Sequence, residues 1–369
     1  MKHASIIIAA GGTGGHFFPA EALGAELQRR GHQTVLITDA RNSRAGDGVF
    51  GGSPRFVLKG SGVASKKPVE KLKALSQLLR STFNARQIME KYQPAAVVGF
   101  GGYPSIPLLG SRLKLGKKPA FIIHEGNAIL GQANALLARF CDAIATSYPR
   151  VARLPKGRKV VQTGMPVRAA IEDLADVGYT APDMYNHQGP INLLIWGGSL
   201  GAQIFSSVVP QALCNLPQHV RVRLHVTQQA HEEMVPVLSG IYEQVGIRAT
   251  VTPFIRNVAE ELEKAHLVIG RAGGSSIAEL AMVGRPSILV PLPIAASDEQ
   301  AVNAQAMERA GGGWMVRQRD FSSEALCRHL VQLLTHPEEL AKAAEGARNL
   351  QQRRAAERLA DLVEASIDA

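Results

Sequence analysis

A histidine follows two pairs of glycines near the start of the chain, in the run IIIAAGGTGGHFFP from Ile6 to Pro19. An imidazole titrates near neutral pH, so His16 is a candidate general base. Around it, the glycine turn points a row of backbone N–H groups at one spot, a seat for a phosphate or a polar sugar group. A second cluster, HEGN at His124–Asn127, pairs an acid/base carboxylate in Glu125 with a carboxamide in Asn127 suited to sugar hydroxyls. Loop capping is the alternative reading of these two side chains. FGGYPSIP, Phe100–Pro107, sets Tyr103 beside another glycine pair. Farther on, GGSLGA supplies Ser199, and RAGGSSIAEL supplies Gly274, Ser275 and Ser276 as phosphate donors, with Glu279 suited to two neighbouring ribose hydroxyls. In DEQAVNA, Gln300 and Asn303 share a helix face and either read sugar hydroxyls or cap the helix together with Asp298. Arg168 is a candidate cation for a leaving diphosphate.

Several chemistries are set aside by spacing. There is no H-E-x-x-H and no D-x-D, so no metal site is expected. GGSLGA is neither a Walker loop nor a G-x-S-x-G elbow. At the first glycine turn, Gly12 and Gly14 match two positions of the dinucleotide fingerprint G-x-G-x-x-G, but Phe17 stands in the third, while Asp39 mimics the ribose-binding acid. A nicotinamide or flavin site and a ligand-free turn are the alternatives there.

Each of these segments ends a β-type run. Strands are expected at Ser5–Ala10, Gln33–Thr38, Arg55–Lys59, Ala95–Phe100, Pro119–Ile123, Ala143–Thr146 and Lys159–Gln162, with helices at Pro19–Arg30, Val69–Tyr92 and Ile129–Phe140. The alternation restarts after Pro166. Strands there are Ile191–Trp196, Arg221–Thr227, Arg248–Thr252, Leu267–Gly270, Ser287–Val290 and Trp314–Val316. Helices fall at Leu200–Leu213, Ala230–Val245, Ser275–Val283 and Glu299–Ala310, followed by a helical tail from Pro337. Such alternation makes an α/β fold of two doubly wound, Rossmann-like parallel-sheet domains, with ligands in a cleft at the carboxyl ends of the strands. IIIAAGGTGGH in the first half is echoed by LLIWGGSLGAQ in the second, and TGMPVR, Thr163–Arg168, marks the boundary.

A chain of 369 residues exceeds what one core organises, which agrees with two domains. Three scattered cysteines, Cys141, Cys214 and Cys327, form no disulfide framework and point to a reducing compartment. The first apolar run is too short for a signal peptide and enters the glycine turn, and no run reaches the length of a membrane span. The net charge of +10 suits anionic partners, and with no RNA-binding signature or zinc-finger spacing, nucleic acid is not favoured.

GGTGGH, FGGYPS, HEGN, TGMPVR, GGSLGA, RAGGSS–AE and DEQAVNA occur in the order seen in the MurG-type N-acetylglucosaminyltransferases of peptidoglycan synthesis, and the resemblance runs from about Ile6 to Gly313. It implies a GT-B fold, with an acceptor- and membrane-facing domain at 1–165 and a UDP-sugar domain at 166–346. The 347–369 helix packs back on the first domain. It implies inverting transfer of N-acetylglucosamine from UDP-N-acetylglucosamine to lipid I, giving lipid II, with no cofactor and no obligatory metal. By motif, Thr13, Gly14 and Gly15 would adjoin donor sugar and acceptor diphosphate, and Asn127 would contact the N-acetylglucosamine. Arg168, Ser199 and Ile255 would line the UDP site, Glu279 would bind the ribose, and Gln300 and Asn303 would read the donor sugar. His16 is the family's usual base, and Glu125 is the second choice. Other GT-B enzymes, such as a glycolipid glucosyltransferase or a UDP-sugar epimerase, and a non-catalytic UDP-sugar binder are the rival readings.

Two departures stand out. The family's HEGN has Gln where Gly126 stands, and its TGMPVR has Asn where Met165 stands; Thr is also frequent in place of Ser276. The Lys- and Leu-rich stretch Lys66–Arg80 is expected either to lie on the anionic inner-membrane surface or to be a solvated helix face. Other cell-wall and division proteins are further candidate partners.

Overall fold

The structure, a computed structural model, describes residues 3–11, 14–40, 48–58, 68–112, 118–183, 189–197, 203–293 and 298–368. The chain forms two compact units, Met1–Arg168 with Arg354–Ala369, and Ala169–Arg353.

The first unit carries strands β1 (Ser5–Ala9), β2 (Gln33–Thr38), β3 (Arg55–Val57), β4 (Ala96–Gly99), β5 (Ala120–Glu125), β6 (Ala143–Thr146) and β7 (Val160–Gln162). Its helices are α1 (Gly14–Arg29), α2 (Pro68–Tyr92), α3 (Ser105–Arg112) and α4 (Gln132–Leu137). The strands make one parallel sheet in the order β3-β2-β1-β4-β5-β6-β7. Alternate residues feed two cores. Ile7, Val35, Val97 and Phe121 point to one face, and Ile6, Ile8, Leu36, Val98 and Ile122 to the other. Burial on both faces is why these strands read as unbroken apolar runs.

The second unit contains α5 (Ala169–Glu172), β8 (Ile191–Trp196), α6 (Gln203–Cys214), α7 (Gln218–Arg221), β9 (Leu224–Gln229), α8 (Val235–Gln244), β10 (Arg248–Thr252) and α9 (Val258–Lys264). It continues with β11 (Leu267–Gly270), α10 (Gly274–Val283), β12 (Ser287–Leu289), α11 (Glu299–Arg309), β13 (Gly313–Met315), α12 (Ser323–Thr335) and α13 (Pro337–Arg348). Its strands are again all parallel, in the order β10-β9-β8-β11-β12-β13.

Some elements differ from expectation for clear reasons. Helix α1 starts at Gly14 and carries Pro19 inside it. A proline this near a helix start removes only one intrahelical hydrogen bond, so the first turn forms ahead of it. The stretch Ala230–Val245 divides into a 3-10 turn, Glu232–Met234, and α8. The helical tail breaks at Arg354, which adopts a left-handed φ of 57° without a glycine to announce it. The last helix, α14 (Ala355–Ile367), packs on α1 of the first unit. There Arg30 Nη1 donates to Asp361 Oδ1 at 2.7 Å and Glu364 Oε2 at 2.6 Å, and His32 pairs with Glu364 at 2.9 Å.

Candidate active site

In the first unit the strand order reverses between β1 and β4, the place where open α/β sheets bind ligands. The glycine turns leaving these two strands meet there backbone to backbone. A Cβ built on Gly102 would lie 3.2 Å from Gly11 Cα, so both positions need glycine. Asp39 is buried on the same edge, its Oδ2 3.6 Å from a Cβ built on Gly11. Phe17 packs edge-on against Phe50, with ring centroids 6.2 Å apart. A core ring therefore fills the place where a dinucleotide fold keeps its third glycine. Tyr103 is also core, 8% exposed, and Thr13 lies outside the described residues.

His16 sits in the first turn of α1, half-buried. Its Cε1 lies 3.5 Å from a Cβ built on Gly101, whose φ is +89°. His124, at the end of β5, donates its Nε2–H to the carbonyl of Gly164 at 2.9 Å. Burial, with His16 nearby, pulls His124 down to about 4, so it is neutral at pH 7 with its tautomer set by that bond. His124 is thus a strut that ties β5 to the boundary segment.

Glu125 is 2% exposed. Its Oε1 accepts from Asn127 N and Asn127 Nδ2, both at 3.0 Å, and its Oε2 accepts from Gly131 N at 2.8 Å and Asn134 Nδ2 at 2.9 Å. Burial pushes the carboxyl above its ordinary value, against the pull of these donors. With donors on all of its lone-pair sites, Glu125 anchors the loop that carries Asn127 and has no room to accept a substrate proton directly. Asn134, absent from every sequence motif considered, completes this cluster. Its helix, QANALL, carries no motif that would single it out in the sequence.

The two departures from the family pattern touch each other. A Cβ built on Gly126 would lie 2.3 Å from Met165 Cε, and Met165 is 5% exposed. The thioether occupies the volume that a side chain at 126 would need, so the two changes are one repacking. Nearby in sequence, Arg168 closes the first unit with its guanidinium 4.4 Å above the Phe18 ring.

In the second unit the reversal lies between β8 and β11. Helix α10 begins there with Gly273 as N-cap, which has no side chain to cap it. The N–H groups of Gly274, Ser275 and Ser276 are therefore the open end of a helix dipole, and the three residues are half-buried. Glu279 on the same helix is 2% exposed, not on a solvated face. Gln300 and Asn303 of α11 clip the turn before α10. Gln300 Oε1 accepts from Ala272 N at 3.2 Å and from Leu292 N at 3.0 Å, while Asn303 Nδ2 donates to Ala272 O at 3.1 Å. Asn303 is fully buried, which places it as a support for the turn instead of a sugar contact. Gln300 is half-buried and uses its oxygen for both of these bonds. Asp298 makes no cap hydrogen bond and pairs with Arg317 at 2.8 Å. Arg271 donates to Val290 O at 3.0 Å and Gln318 Oε1 at 2.8 Å, a strut between strand ends. Ile255 is buried at 6% exposure, past the end of β10, and Ser199 lies outside the described residues.

Residues 6–146 match the glycosyltransferase family 28 N-terminal domain, and residues 192–359 match the family's C-terminal domain. A Gluconobacter oxydans protein named UDP-N-acetylglucosamine--N-acetylmuramyl-(pentapeptide) pyrophosphoryl-undecaprenol N-acetylglucosamine transferase is 54% identical over 98% of this chain and 98% of its own. A Granulibacter bethesdensis protein of the same name is 48% identical over 98% of this chain and 94% of its own. The crystal structure of Acinetobacter baumannii MurG superposes with a TM-score of 0.76 at 29% identity, covering 99% of this chain and 100% of that one. The chain belongs to glycosyltransferase family 28, among its MurG-type N-acetylglucosamine transferases.

Proposed function

We propose that this glycosyltransferase moves N-acetylglucosamine from UDP-N-acetylglucosamine to lipid I, the undecaprenyl-diphosphate-linked muramyl pentapeptide, forming the β1,4 bond of lipid II and releasing UDP. The observation that carries the reading is the division of labour between sheet edges: a titratable imidazole at the first and an uncapped helix N-terminus at the second. The relatives' shared name supplies the substrates. In a single displacement, His16 takes the proton of the acceptor hydroxyl as its oxygen bonds to the anomeric carbon. The bond from that carbon to the diphosphate oxygen breaks, its electron pair leaves with UDP, and the configuration inverts. The N–H groups of Gly274, Ser275 and Ser276, with roughly half a unit of positive charge at the α10 start, stabilise the departing diphosphate. Glu279 serves the ribose, Ile255, Ser199 and Arg168 the nucleotide, and Gln300 and Asn127 the sugar, with Thr13, Gly14 and Gly15 beside the acceptor diphosphate.

The acceptor's lipid tail puts the reaction at a bilayer. Among the described residues no helix is long and apolar enough to cross a membrane. Helix α2 exposes Leu75, Leu79 and Phe83 at 51%, 65% and 61%, one stripe at helical spacing, with Arg80 exposed beside it. This stripe supports peripheral attachment to the anionic inner leaflet through α2. Lys66 and Lys67 lie outside the described residues.

Labelled UDP-N-acetylglucosamine and a soluble lipid I analogue test the reading. Label in the acceptor, matched by an equal amount of UDP, is the expected result. Nucleotide sugar that stays intact, or is epimerised, overturns it.

A further inference from the structure

Asn134 is 4% exposed, and both hydrogens of its amide are committed. One goes to Glu125 Oε2 at 2.9 Å and the other to the carbonyl of His124 at 3.0 Å. Both partners accept only, so the amide cannot be turned over and the direction of its Oδ1 is set. That buried oxygen accepts no hydrogen bond among the described residues. Leaving such a group unsatisfied costs stability, and at a reaction site it marks a place held for a donor. The donor at hand is the imidazole. A Cβ built on Gly101 would lie 3.6 Å from Asn134 Oδ1 and 3.5 Å from His16 Cε1, and Cε1 is bonded to both ring nitrogens.

We infer that Asn134 is the positioning residue of the base: its Oδ1 takes one N–H of the His16 ring, which leaves the opposite nitrogen unprotonated toward the acceptor hydroxyl. This rests on the transfer reading above. When His16 takes the hydroxyl proton, the second N–H of the imidazolium stays on Oδ1. Glu125, linked through the same amide, offsets the new positive charge and keeps its own protonation state. The order carboxylate, carboxamide, imidazole gives Glu125 an electrostatic role in place of a direct one, by the logic that orients the histidine in catalytic triads.

A double-mutant cycle at saturating substrates tests it. Asn134→Ala should lower kcat by about 10- to 100-fold with the donor KM within about twofold, the share expected of a misaligned base. In a His16→Ala background the same change should cost less than about twofold, because the group it acts through is gone. Equal losses in both backgrounds overturn the inference. Spectra of the unmutated protein with 15N-labelled histidine guard against a variant that fails to fold. His16 should show one tautomer with a slowly exchanging N–H, and a tautomer mixture like that of a solvated imidazole overturns the inference. Absence of transfer by the unmutated enzyme sinks the transfer reading alone, whereas transfer with an additive cycle sinks only the role of Asn134.

Discussion

The two sheet edges share a topology and differ in what they bury. Each has a parallel sheet whose order reverses beside a glycine turn and a helix start. At the first edge Asn134 joins the buried Glu125 carboxylate to the His124 carbonyl, and half-buried His16 lies across Gly101 from that amide. At the second, carboxamides hold backbone. Gln300 and Asn303 grip the two sides of Ala272 and so aim the bare start of α10. On the proposed reading, one framework serves two tasks, moving a proton at the first edge and holding an anion at the second. The difference lies in which side chains reach the edge, because the backbone supplies the same donors in both.

Replacing His16 should break the comparison most. His16→Ala is expected to lower kcat at least about a hundredfold while UDP affinity is kept. Steady-state kinetics with UDP binding by calorimetry would show this, and an unchanged kcat would take proton transfer away from the first edge. The next largest effect is on stability. His124 has its folded value depressed from 6.5 to about 4, so its contribution is complete above pH 6.5 and is lost as the pH falls toward 4. The loss should approach ~3 kcal/mol in the first unit, measured by urea unfolding across that window. His124→Gln, which keeps a donor for Gly164, should flatten the slope.

Gly126→Ala should cost at most about 1 kcal/mol, because its methyl meets the end of the flexible Met165 side chain, which can move aside. In a Met165→Ala background, itself destabilised by the cavity, Gly126→Ala should cost less, because the contact is between these two side chains. Additive melting shifts would separate them. The smallest effect sharpens the contrast at the second edge. Ser275→Asp should weaken UDP binding about tenfold by setting a carboxylate where a diphosphate belongs, yet leave the melting temperature level or raised, since an acid suits a helix start. Equal loss of stability and binding would mean that the α10 start is a structural element only.

Much of this was legible in the chain. Strands such as Gln33–Thr38, Ile191–Trp196 and Leu267–Gly270 stand where their apolar runs predict. A strand buried on both faces has no freedom in composition, and glycines must follow it where two turns touch. The site motifs were legible for the same reason, since each follows a strand directly. The roles inside them were not. The motifs of Glu125 and Asn303 name no partners, and the fold supplies them: Gly131 N–H for the one and the Ala272 carbonyl for the other.

The residues by themselves determined the two doubly wound units and the placement of glycine turns at strand ends, because these depend on neighbours within a few positions along the chain. Tertiary structure alone decided that Asn134 joins Glu125 to the His124 carbonyl, that Met165 fills the space over Gly126, and that α14 returns to α1 through Arg30, Asp361 and Glu364. Those contacts join positions far apart in the chain, and no local period or spacing encodes which distant side chain will arrive.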